Sequence, residues 1–101
     1  MAKKGMIEKN NRRVKLVAGS ANKRSRLKAI IMNKEASLED RFAATLKLAA
    51  LPRNAAASRV RNRCEITGRP RAFYRKLKMS RIAMRDLGNS GLVPGLTKCS
   101  W

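Results

Sequence analysis

The chain has 101 residues, enough for one domain or a compact piece with an extended arm, and too few for a large enzyme core. Twenty-five Lys and Arg stand against six Asp and Glu, a formal net charge of +19, so an isolated compact fold must overcome strong self-repulsion. A polyanion removes that repulsion, and because the basic residues run through the whole chain and are not gathered on one amphipathic helix, nucleic acid is the expected partner ahead of a membrane surface.

The chemistry of enzymes is poorly provided for. There is no histidine, no Gly-rich phosphate loop, and the acids are scattered, so neither a Ser-His-Asp set nor a zinc-water site can be assembled. No run of about 18 apolar residues is present, which predicts no membrane-spanning helix. No apolar segment follows "MAKKGMIEKNNRR", so no targeting segment is expected. Cys64 and Cys99 are expected to be free thiols, since one bridge in a basic chain without a secretion signal does not suit a reducing compartment.

In chain order, the first stretch is basic, with Lys3, Lys4, Arg12 and Arg13 among its cations. Ile7, Val14, Val17, Ala18 and Ala21 share a helical face, which predicts a basic helix. Gly19 and Ser20 are read as a break, with Ser20 capping a second helix over residues 21–32 that carries Leu27, Ile30 and Ile31 and ends at Asn33. The string "SLED" then marks a helix start: the Ser37 hydroxyl accepts an early backbone N–H and Asp40 favours the positive helix end. Leu38, Phe42, Leu46 and Ala49 form the expected apolar stripe, and Pro52 stops the helix. The short connection predicts two antiparallel helices, about 21–32 and 38–50.

The sequence "RNAAASRVRNR" lacks an apolar period and reads as an extended cationic connector. If it is extended, Arg59, Arg61 and Arg63 project to one side at a repeat of about 6.6 Å, close to phosphate spacing. Arg53, Asn54 and Asn62 belong to the same expected contact surface.

From Cys64 onward the spacing Cys64–Thr67, Ser80–Ala83 follows C-x2-C-x12-C-x2-C with three sulfurs replaced. One thiolate, two hydroxyls and a methyl do not supply the four ligands of structural zinc. Packing is expected instead from a small satellite core of Ile66, Phe73, Leu77, Met79, Ile82 and Met84, with a short hairpin across Thr67 and Gly68. Ser80 is the predicted N-cap of a last helix running to about Leu87, with Gly88 as its stop. Alternation sends Phe73 inward and leaves Tyr74 to stack on a base. Pro70 stiffens the backbone between Arg69 and Arg71, Arg75 and Lys76 extend the basic surface, Arg81 and Arg85 lie one helical turn apart, and Lys98 and Trp101 close the set of expected nucleic-acid contacts.

"GRPR", "FYRK" and "SRI", with "LPRNA" and "RNRC" upstream and "PGLTKCSW" at the end, resemble the S-fourteen family of the small ribosomal subunit in its longer bacterial form without zinc. In the shorter form of that family four cysteines hold zinc, and Cys64, Thr67, Ser80 and Ala83 fall at those positions. The resemblance implies a structural, non-enzymatic ribosomal protein in the cytoplasm with no cofactor. It also implies binding to small-subunit ribosomal RNA in the head, support of head assembly and the decoding (A site) region, S-three, S-ten and S-nineteen as neighbours, and proximity to A-site tRNA. A free-standing RNA-binding or RNA-chaperone protein is the alternative. The expected fold is mainly α with extended segments: an N-terminal helical arm and helical hairpin (1–51), an extended basic connector (52–62), and a small zinc-ribbon-like module without metal, with a C-terminal tail (63–101).

Overall fold

Ser20, the predicted start of a second helix, lies in the middle of one. The computed structural model describes residues 2–99, and its first element, α1, runs unbroken from Lys4 to Met32. Gly19 costs a helix only about 1 kcal/mol, and with no proline between residues 4 and 32 that is too little to end a cooperative run of this length. The Ser20 hydroxyl donates back to Leu16 O at 2.8 Å, the local bond open to a mid-helix serine.

Two compact units divide the chain, residues 9–60 and residues 1–8 with 61–101. In the first, the half-buried or buried positions of α1 are Asn10, Arg13, Val17, Ser20, Arg24, Leu27 and Ile31, alternate steps of three and four. That inner face mixes polar and apolar side chains. Val14, Ala18 and Ala21, expected on it, are exposed.

The second helix, α2 (Leu38–Ala49), begins where the sequence predicts. Ser37 Oγ accepts the Asp40 N–H at 3.2 Å and donates to Asp40 Oδ2 at 2.7 Å. Its expected apolar stripe is not buried, because Leu38, Phe42 and Leu46 are 80%, 66% and 57% exposed. The inner face is instead Arg41, Ala44 and Leu48, with half-buried Leu51 just past the helix end. α1 and α2 do not pack along their lengths, so the anticipated hairpin stays open, joined by the Arg41 Nε bond to Ile31 O at 3.1 Å.

Residues 53–59 are not one extended run, although Ala56 between the turns has extended backbone. They form two 3-10 turns, Arg53–Ala55 and Ala57–Arg59, closed by Ala55 N–H to Pro52 O and Val60 N–H to Ala57 O. Alanines tolerate the tight turns, and Ala55 is buried, where Ser20 Oγ reaches its carbonyl at 3.5 Å.

In the second unit a turn from Cys64 to Arg69 is closed by Cys64 N–H to Arg69 O at 3.0 Å and Gly68 N–H to Cys64 O at 2.8 Å. Gly68 takes φ +71°, which glycine adopts without the Cβ penalty. The two-stranded sheet lies further on: β1 (Phe73–Tyr74) pairs antiparallel with β2 (Met79–Ser80), Phe73 opposite Ser80. The third helix, α3 (Arg81–Asn89), is capped by Ser80, whose Oγ accepts the Ala83 N–H at 3.3 Å.

Gly88 does not stop α3. The helix ends in a Schellman turn, with Leu92 N–H to Leu87 O, Gly91 N–H to Gly88 O, and Gly91 at φ +72°. Nor is the satellite core as expected, since Ile66 and Ile82 are exposed while Phe73, Leu77, Met79 and Met84 are half-buried. The closed centre is made of small residues, Cys64, Gly68, Ser80 and Ala83.

Candidate nucleic-acid interface

Some of the expected contact residues are seen bonded to their own chain, and many are exposed. Asn54 Oδ1 accepts from Arg13 Nε at 3.3 Å and from Arg59 Nη1 at 3.2 Å, and Arg13 Nη1 donates to Arg59 O at 3.4 Å. A carboxamide oxygen has two lone pairs and both are used here. This cluster fixes the 3-10 turns, from which Arg53 stands exposed; Arg12 is exposed on α1.

In the other unit Lys3, Lys4, Arg61, Asn62, Arg71, Arg75, Lys76, Arg81, Arg85 and Lys98 are exposed. Arg63 is half-buried and donates through Nη1 to Gly68 O at 3.0 Å. Arg59 therefore sits in a 3-10 turn, and both Arg59 and Arg63 turn back on their own chain instead of forming an alternating row. The Nε atoms of Arg24, Arg63 and Arg69 are buried without a hydrogen-bond partner. An orphaned buried donor costs about 1–3 kcal/mol, which an arriving acceptor relieves. Arg24 was not among the expected contacts; its signal is the basic run "NKRSR".

Tyr74 is 46% exposed and Phe73 half-buried, as the strand alternation predicts. The ion pair Lys78–Glu65 spans 4.0 Å between two largely exposed side chains, a geometry of little energetic value. Trp101 lies outside the described residues.

Cys64, only 3% exposed, sits beside the fully buried Ser80. Burial raises the thiol pKa, but the Thr67 side chain and the backbone N–H groups of Thr67, Ser80 and Ile66 favour the thiolate and outweigh it, bringing the pKa from 9.0 down to about 6. Both cysteines are free. As a zinc site the four positions do not fit: Cys64 offers one thiolate, Ser80 Oγ already accepts the Ala83 N–H, and Ala83 has no donor. Among the described residues no group of three or more His, Cys, Asp or Glu could hold a metal ion. No helix among them is long and apolar enough to cross a membrane.

A model of the family described as ribosomal protein S14p/S29e matches residues 47–100. Over all 101 residues, with full coverage of both chains, the sequence is 68% identical to the small ribosomal subunit protein uS14 of Xanthobacter autotrophicus and 67% identical to that of Agrobacterium fabrum. The chain belongs to the S14p/S29e family. Members of the S14p/S29e family are structural components of the ribosome and not enzymes. The family match spans the Cys64–Arg69 turn, the sheet and α3, and so covers most of the exposed cations named above.

Proposed function

We propose that the chain is a structural constituent of the small ribosomal subunit that binds small-subunit ribosomal RNA in the head and supports head assembly and the decoding region. Its neighbours are the S-three, S-ten and S-nineteen proteins, A-site tRNA passes nearby, and it works in the cytoplasm. The observation that carries this reading is the unbalanced charge: six acids cannot neutralise 25 cations whatever the pairing, so at least 19 positive charges await an external polyanion.

The contacts are made by Lys3, Lys4, Arg12, Arg53, Arg61, Asn62, Arg71, Arg75, Lys76, Arg81, Arg85 and Lys98, with Tyr74 stacking and Trp101 at the terminus. Arg13, Asn54, Arg59 and Arg63 hold local backbone in place while their spare N–H groups meet phosphates, and Arg69 offers its orphaned Nε. The ribbon-like module works without metal, its centre closed by the Cys64 thiolate and small side chains. Cations lower phosphate repulsion where strands crowd; with about eight phosphates neutralised, log affinity falls with log salt at a slope of about −6 to −7.

Reconstitution of the small subunit tests the assignment. Replacing Arg69 and Arg71 together with Ala weakens incorporation more than replacing Lys34 and Lys47, which lie in the charge-balanced stretch around α2. Equal loss for the two variants refutes the ranking, and a wild-type chain that fails to enter the subunit refutes the function.

A further inference from the structure

Beyond the cationic surface, the C-terminal part of the molecule builds a groove that phosphate binding alone does not explain. The Schellman turn after α3 and a second positive-φ glycine, Gly95 at +73°, return the tail over the helix. Leu96 then packs directly against Gly88, where a Cβ would collide with Leu96 Cδ2. Between the tail, α3 and β1 lies an open groove of about 660 Å³.

Its lining has three chemical parts. Ile82, Met84 and Leu96 give an apolar floor, with the half-exposed Tyr74 ring beside it. Asn89 and Thr97 supply an amide and a hydroxyl, groups able to pair with the edge of a base. Arg81, Arg85 and Lys98 stand in the same lining, and no acid does.

A phosphate needs the cations but gains nothing from the apolar floor. A base inside a duplex has both faces covered by its neighbours and cannot use Tyr74. An unpaired base presents an apolar face, a polar edge and a phosphate together, and a groove of several hundred cubic ångströms suits a ligand of that size. We propose that this groove receives one unpaired, extruded nucleotide of the bound RNA. The base stacks on Tyr74 over the Ile82–Leu96 floor, and the flanking phosphates meet Arg81, Arg85 and Lys98. The proposal rests on the RNA-binding reading above and adds to it a preference that bulk charge cannot give.

The test uses the full chain and two RNA hairpins of equal length, one fully paired and one carrying a single bulged 2-aminopurine, competed at fixed salt. Wild type prefers the bulged hairpin by at least about fivefold, the lower end of a base-stacking contribution. Tyr74→Ala and Gly88→Ala each abolish that preference, and Gly88→Ala leaves affinity for the paired hairpin within about twofold, because it removes none of the contact residues. Gly88→Ala is informative because alanine favours α3 itself while displacing Leu96. Cys99, exposed in the groove lining, gives a second readout: the bulged hairpin slows its alkylation and the paired hairpin does not. No preference in the wild type overturns the proposal, as does a preference that survives both substitutions or a groove protected equally by the two hairpins or by an acidic peptide alone. Failure to bind either hairpin overturns the RNA-binding reading itself.

Discussion

Replacing Gly68 with alanine places a Cβ 2.6 Å from Ile7 Cδ1, 2.8 Å from Ile7 Cγ1 and 3.1 Å from Ala2 Cβ, at a φ of +71°. Two penalties follow. The left-handed backbone costs a residue with a Cβ about 1–2 kcal/mol. Overpacking adds about 1–3 kcal/mol, at the lower end if the free end of Ile7 rotates away. Alanine also restricts the unfolded chain, which offsets about 0.4–1 kcal/mol, so the net loss is about 2–4 kcal/mol. Cys64 reports it locally, being buried in the turn that Gly68 closes. In a Cys99→Ser background, where one thiol remains, alkylation proceeds through opening of this turn, and Gly68→Ala accelerates it about 30- to 1,000-fold, at tenfold per 1.4 kcal/mol. Ile7→Ala removes both clashing carbons, so in that background Gly68→Ala costs only the backbone share, about 1–2 kcal/mol. An acceleration below about threefold, or a penalty indifferent to Ile7, refutes the packing argument.

Cys64 makes stability pH-dependent. Its folded pKa of about 6 lies below the free value of 9.0, so between those two the unfolded chain binds more protons and stability rises with pH. The contribution is complete above about 9 and is lost as pH falls through about 6; Cys64→Ala flattens the profile in urea titrations, and an unchanged slope refutes the thiolate. Ser80→Ala removes the cap of α3 and costs about 1 kcal/mol, seen as roughly fivefold faster Cys64 alkylation. Purified protein carries no stoichiometric zinc by elemental analysis; one zinc per chain overturns the reading of the four ribbon positions.

Local chemistry was legible where a side chain and its backbone partner lie within a few residues. Ser37 and Ser80 cap as their spacing implies, and Tyr74 and Phe73 take opposite sides of a strand. Apolar periodicity failed for α1 because the buried face is built from Asn10, Arg13, Ser20 and Arg24 as much as from Val17, Leu27 and Ile31. It failed for α2 because Leu38 and Phe42 remain exposed while Ala44 is buried. The candidate site was legible as a set of cations and not as an arrangement. Asn54 joins Arg13 across 41 residues, and nothing in the alternation of Arg59, Arg61 and Arg63 shows that Arg59 bonds Asn54 and Arg63 bonds the Gly68 carbonyl.

The Ala2 N–H bonds Thr67 O at 3.2 Å, and Ile7 fills the space above Gly68, so residues 2–8 belong to the same compact unit as residues from 61 onward. During synthesis that unit must wait, residues 2–8 unclaimed, until everything between has emerged. A tag fused ahead of Ala2 therefore sits against the Cys64 turn, and the harmless end for a purification handle cannot be chosen by distance along the sequence.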